Sequence, residues 1–171
     1  MENFTNQTID TTQLPKFEEV QFSSLHPSYW KVSLIFIGIL FLILGIGIGY
    51  SVFFEPEIAI YKLELSILLI TFIILVIVFS RIRFLKKGFA FRNHDVLYRS
   101  GIIATNTIVI PYNRIQHVAL HEGMISRFFG LAKIEIFTAG GDSSDIEIPG
   151  ILKEQAENIK QLLMGKIQKE L

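Results

Sequence analysis

A chain of 171 residues with no cysteine can form neither disulfides nor thiolate metal sites. Its formal net charge of zero also lacks the basic excess expected of a nucleic-acid binder. Half of its residues are hydrophobic, and their uneven distribution gives the first structural information.

Residues 1–24 are polar with a few isolated apolar side chains, which reads as a flexible N-terminal segment. "SLHPSYWK" follows, and its Tyr29 and Trp30 suit the headgroup level of a bilayer. From Val32 to Phe54 there are 23 residues without a charge. At about 1.5 Å rise per residue, a helix of that length crosses a hydrocarbon core roughly 30 Å thick. A second run, Leu65–Ser80, has 16 uncharged residues. It becomes a full span over about 61–83 if Lys62, Glu64, Arg81 and Arg83 reach outward to the interfaces. The competing reading is a pair of helices buried in a soluble core, but such long apolar runs favour spans. Residues 25–87 are thus expected to form a two-span membrane hairpin. A signal peptide fits poorly, because four acids against two lysines precede the first run. Gly45 and Gly49 form a G-x-x-x-G, read first as general packing between the two helices and second as a dimerisation face.

Charge sets the expected orientation. Residues 1–80 carry 3 basic and 7 acidic side chains, against 13 and 9 in residues 81–171. The connection "EPEIAIYKLE" is acidic, whereas "RIRFLKK" after the second run holds Arg81, Arg83, Lys86 and Lys87. The excess of Lys and Arg at that end predicts cytoplasmic N- and C-termini.

After the basic run the pattern changes to period two. Val, Ile, Tyr, Phe and Thr predominate, punctuated by "RNHD", "SG", "TN" and "PYN". Strands are expected near 88–92, 95–103, 106–111 and 113–121. "GMISRFFG" is a break with room for one helical turn, in which Phe128 and Phe129 would anchor to the core. "LAKIEIFTA" alternates as another strand, "GGDSS" is a turn, and "DIEIPG" is a short final strand. From Leu152, apolar residues recur at spacings of three and four, predicting an amphipathic helix over about 152–169. The fold class is therefore two transmembrane helices followed, over 88–171, by a mainly antiparallel α+β domain closed by a C-terminal helix.

"HVALHEGM" is the one stretch that looks like chemistry. On a helix, His117 and His121 would share a face with Glu122 nearby. On a strand they lie roughly 13 Å apart at about 3.3 Å per residue, too far to share one ion held at about 2.0–2.1 Å. The turn at Pro111–Asn113 and the glycine at 123 favour the strand. Ser126, His117 and Asp142 can be named as a triad, but no G-x-S-x-G accompanies them. No cofactor motif is present, and a non-enzyme is the better expectation. Arg114, Gln116 and Arg127 have two readings, as side chains tying strand to loop or as contacts to a partner, together with His117 and His121. Arg81, Arg83, Lys86 and Lys87 mark topology and are also possible contacts for anionic headgroups.

The series "Y-R-x-G", "IPYNRIQHV", "SRFFGLAKIEIFTAGG" and "IPGI", preceded by two spans, resembles the bacterial pleckstrin-homology-like membrane proteins of the YdbS type, over roughly residues 25–165. The resemblance implies two bent sheets capped by a helix, held at the inner face of the bacterial cytoplasmic membrane. It brings no catalytic residue. It implies a scaffold or interaction role, with the lipid bilayer and a larger multi-span relative as expected partners.

Overall fold

A computed structural model describes Thr8, residues 19–141 and residues 144–170. The flexible segment expected over 1–24 lies largely outside these, as does Asp142. The described chain opens with a two-residue strand, β1 (Ser23–Ser24), and a long helix, α1 (Ser28–Phe54). A single turn, α2 (Pro56–Ala59), leads to a second long helix, α3 (Lys62–Lys86). Both long helices are apolar and long enough to cross a membrane. Among their sealed contacts is Phe41, which meets Phe72 edge to face with ring centroids 5.6 Å apart. The glycines do not bring the helices together as expected: a Cβ at Gly45 or Gly49 would touch nothing within 4 Å.

The remaining strands are β2 (Gly88–Phe91), β3 (Asp95–Ser100), β4 (Asn106–Pro111), β5 (Ile115–His121), β6 (Leu131–Thr138) and β7 (Ile146–Leu152). A 3-10 turn at Tyr112–Arg114 joins β4 to β5, a short helix α4 (Met124–Phe128) joins β5 to β6, and α5 (Lys153–Glu170) ends the described chain. All pairings are antiparallel, giving one sheet in the order β1-β2-β3-β4 and a second in the order β5-β6-β7. The expected order of strands and the closing helix are present, and the fold is consistent with a pleckstrin-homology-like domain. The expected strand over 95–103 stops at Ser100, because the next five residues make a tight turn.

The two sheets enclose a core of Val96, Tyr98, Ile110, Ile134, Ile136 and Ile148, with Ala156 and Leu163 of α5 packed against it. At the end of the domain closed by α5, Tyr112 donates its hydroxyl to the Arg92 carbonyl at 2.6 Å. There Lys166 donates to the Asn93 carbonyl at 2.9 Å.

β1 comes before the hairpin yet pairs with β2 after it, Ser23 opposite Phe89 and Ser24 opposite Gly88. Leu25, next in sequence, is 2% exposed and belongs to the domain core. The hairpin is thus an insertion between the first two strands of the domain.

Candidate functional site

The hairpin meets the domain at β7 and β3, and the junction is tightly made. The His26 N–H donates to the Gly150 carbonyl at 2.8 Å, fastening the start of α1 to β7. Gly150 has φ 66°, and a Cβ there would lie 2.4 Å from Cγ of Tyr29. Both the left-handed backbone and the ring above it require glycine. Tyr29 and Trp30 in turn lie against Phe84 of α3, at centroid distances of 6.4 and 6.1 Å.

The four basic residues at the end of α3 divide into three environments. Arg81 lies over the Trp30 ring, its guanidinium carbon 5.2 Å from the centroid, a cation–π contact suited to the interface. Lys86 turns to the other side and donates to the carbonyl of Ile102. Arg83 and Lys87 line a cleft of about 610 Å³ with Tyr29, Tyr98 and Lys133. Among the described residues, neither Arg83 nor Lys87 makes an ion pair.

The electrostatics of this cleft follow from its burial. Desolvation lowers the pKa of Lys87, and the charge of Arg83 adds to the effect. Burial, with Tyr29 nearby, pushes the Tyr98 hydroxyl up to about 12, so it remains a neutral hydrogen-bonding group. Lys133 differs from the other cations. It binds Glu135 closely and lies 3.3 Å from Glu147. The bond to Glu135 raises the Lys133 pKa, and the same bond holds the Glu135 carboxyl below its usual range.

His121 and His117 both lie on β5, and each contacts a different residue of β6. His121 Nε2 is 3.0 Å from Glu135, whereas His117 stacks on Phe137 with centroids 4.1 Å apart. Arg114, Gln116 and Arg127 are exposed. Among the described residues their side chains make no hydrogen bond, so the expected ties from strand to loop are absent. The backbone does that work instead: the Ala139 N–H donates to the Arg114 carbonyl at 3.0 Å, and Gly130 to that of Arg127 at 3.0 Å. Phe128 also departs from expectation. It is 87% exposed rather than anchored in the core, because the single turn of α4 directs it outward while Phe129 is half-buried.

Sequence reasoning found Arg83 and Lys87 but missed Lys133, Tyr98 and Tyr29 as their neighbours. A run of basic residues is visible in one dimension. Its meeting with β3 and β6 depends on sheet packing.

This architecture, an antiparallel two-sheet domain entered by two apolar helices, agrees with the family comparison. Residues 10–167 match the family described as Bacterial PH domain. The chain belongs to that family. It is 24% identical over 132 residues to the UPF0699 transmembrane protein YdbS of Bacillus subtilis (strain 168), covering 77% of this chain and 81% of that one. It is also 31% identical over 83 residues to the UPF0699 transmembrane protein YdbT of the same organism, covering 47% of this chain but only 17% of that much longer protein. No solved structure matches the chain. This bacterial PH-domain protein is therefore a membrane protein, with a cleft of mixed charge, where Asp145 and Glu147 face Arg83, Lys87 and Lys133, at the junction of helices and domain.

Proposed function

We propose that this bacterial PH-domain protein is a non-enzymatic, membrane-anchored scaffold. Its two helices cross the inner membrane, both termini face the cytoplasm, and the domain binds a larger membrane protein of its own family. The observation that carries this reading is the exposed surface formed by the start of β5 and the 3-10 turn before it. There Arg114, Gln116 and His117 stand clear of the fold, and His117 stacked on Phe137 forms a flat aromatic platform beside them. Aromatic and arginine side chains are the usual anchors of protein interfaces. The pairing of β1 with β2 across the hairpin supports a common side for its two ends. The basic end of α3 supports the cytoplasm as that side. The much longer relative that shares an 83-residue stretch supplies a precedent for the class of partner.

The test is purification of the tagged full chain from its native membranes in mild detergent. A second, multi-span membrane protein is expected at a fixed ratio. Gln116→Asp together with His117→Asp should release that protein while leaving the tagged chain in the membrane. Recovery of the chain alone, from membranes that contain a longer family member, would count against the scaffold.

A second reading is favoured by one observation, the convergence of Arg83 and Lys87 in a cleft at the membrane junction. Burial chiefly lowers the Lys87 pKa, with the charge of Arg83 adding to it, and an anionic headgroup there would offset both by pairing with the two cations. Phosphatidylglycerol should then raise the unfolding temperature of the detergent-solubilised protein more than phosphatidylcholine does. Lys87→Ala should abolish the difference. Equal effects of the two lipids would dismiss this reading.

A further inference from the structure

Two exposed apolar features stand where the domain meets the hairpin. The first is the turn between β3 and β4. Gly101 closes it at φ 130°, where a Cβ would sit 1.9 Å from the Ala104 carbonyl oxygen. The tight turn carries Ile102 against α3, where it lines a groove with Phe72, Val76 and Phe79. Lys86 holds the Ile102 carbonyl. Ile103, next in the turn, is 94% exposed. The second feature is α4. Met124 and Phe128, four apart on one helical face, are 80% and 87% exposed. A groove beside α4 is shared by Ser126 of that helix with Val32 and Phe36 of α1, with Glu122, Lys133 and Glu135 also on its wall.

Both features continue the apolar surface of the spans. Phe36 lies six residues beyond Trp30, about 9 Å along the helix, and Phe79 lies four residues before Arg83, about 6 Å. Interfacial elements bury their apolar faces roughly 5–10 Å into the headgroup–acyl boundary. With Trp30 and Arg83 taken as the interface, the helix residues that share grooves with the two features fall in that range, Phe79 of α3 beside Ile102 and Phe36 of α1 beside Ser126. In water, these large side chains would each forfeit about 25 cal/mol per Å² of exposed apolar surface. Lipid removes that cost without any protein partner.

We propose that Ile103, on one side of the hairpin, and Met124 with Phe128, on the other, insert into the acyl region of the leaflet facing the domain. Phospholipid is the occupant of both surfaces. Arg127, exposed on α4, extends to the phosphate level, as long cationic side chains do at interfaces. With wedges on either side of the helices, the domain has a fixed tilt relative to the membrane plane and presents one chosen face to the cytoplasm. The proposal rests on the hairpin lying in the bilayer and is independent of any protein partner.

The absence of cysteine makes the test direct. Ile103→Cys, Phe128→Cys and, as a water-facing control on α5, Lys160→Cys are each nitroxide-labelled in the full chain. The labelled proteins are reconstituted into vesicles of phosphatidylethanolamine and phosphatidylglycerol. Labels at 103 and 128 should collide several-fold more with oxygen, which concentrates in lipid, than with a water-soluble nickel chelate. The label at 160 should show the reverse. Nickel access at either 103 or 128 equal to that at 160 would overturn the proposal. So would shielding of either label from both reagents, because that result would mean protein rather than lipid covers the site.

Discussion

Along α1 and α3 the large aliphatic side chains face outward, with Leu42 64% and Ile46 65% exposed, whereas Ile134, Ile136 and Ile148 in the domain are fully sealed. The residue types are nearly the same, but the surroundings are opposite. In the hairpin apolar side chains are exposed on most sides, with Phe41 and Val32 as buried exceptions, so the sequence shows little period. In the domain, burial follows the packing of each strand: β3 buries Val96, Leu97 and Tyr98 in succession, whereas β6 has one enclosed face and alternates buried and half-buried positions from Ile134 to Thr138. Hydrophobicity alone therefore says little about which residues stabilise the fold; the enclosure of each position decides it.

The largest effect that sharpens this contrast is a matched truncation. Ile134→Ala should destabilise the domain by about 2–5 kcal/mol, since the cavity it leaves has no route to collapse. Leu42→Ala, which removes a similar volume from a lipid-facing position, should leave domain unfolding in detergent unchanged. Equal losses at the two sites would break the comparison. Next is Gly150→Ala, at the seam between the two regions. The left-handed backbone costs on the order of 1–3 kcal/mol and the new methyl meets Tyr29. The expected result is a lower unfolding midpoint together with a changed environment for Trp30, the single tryptophan, read by its fluorescence.

Tyr112→Phe comes third. It removes the hydroxyl bonded to the Arg92 carbonyl and should cost about 1 kcal/mol in denaturant unfolding. The smallest effect is electrostatic. The Glu135 carboxyl is held low in the folded state by Lys133. Its contribution is complete above the ordinary carboxylate pKa of about 4.3 and is lost as pH falls through the lower folded value. Glu135→Gln should therefore flatten the acid limb of a plot of unfolding midpoint against pH, with under about 1 kcal/mol at stake near neutrality.

Most of the fold was legible because its elements carry strong local signals. The uncharged runs, the alternation in "KIEIFT" and the three–four spacing after Leu152 each report an environment along the chain. What was hidden depends on distant partners. Ser23–Ser24 has no strand pattern of its own and is ordered by β2. The adjacent pair Phe128–Phe129 does not reveal which ring turns outward, because one residue of helical rotation decides it. The strand reading of "HVALHEG" agrees with β5, but the contacts of His121 with Glu135 and of His117 with Phe137 depend on strand register. The cleft was half legible: Arg83 and Lys87 are local to α3, and Lys133 reaches it from another sheet.

The insertion of the hairpin between β1 and β2 makes the domain a check on its own topology. Synthesis delivers β1 and Leu25 before either long helix, and the strand they complete only after both. If one helix failed to cross, the two strands would emerge on opposite sides of the bilayer. The first sheet would then lack its edge, and the place of Leu25 in the core would stand empty. On the proposed two-span topology, a finished domain would record a correctly turned hairpin, and a misthreaded chain would betray itself by an incomplete core, the kind of defect that proteolytic surveillance recognises.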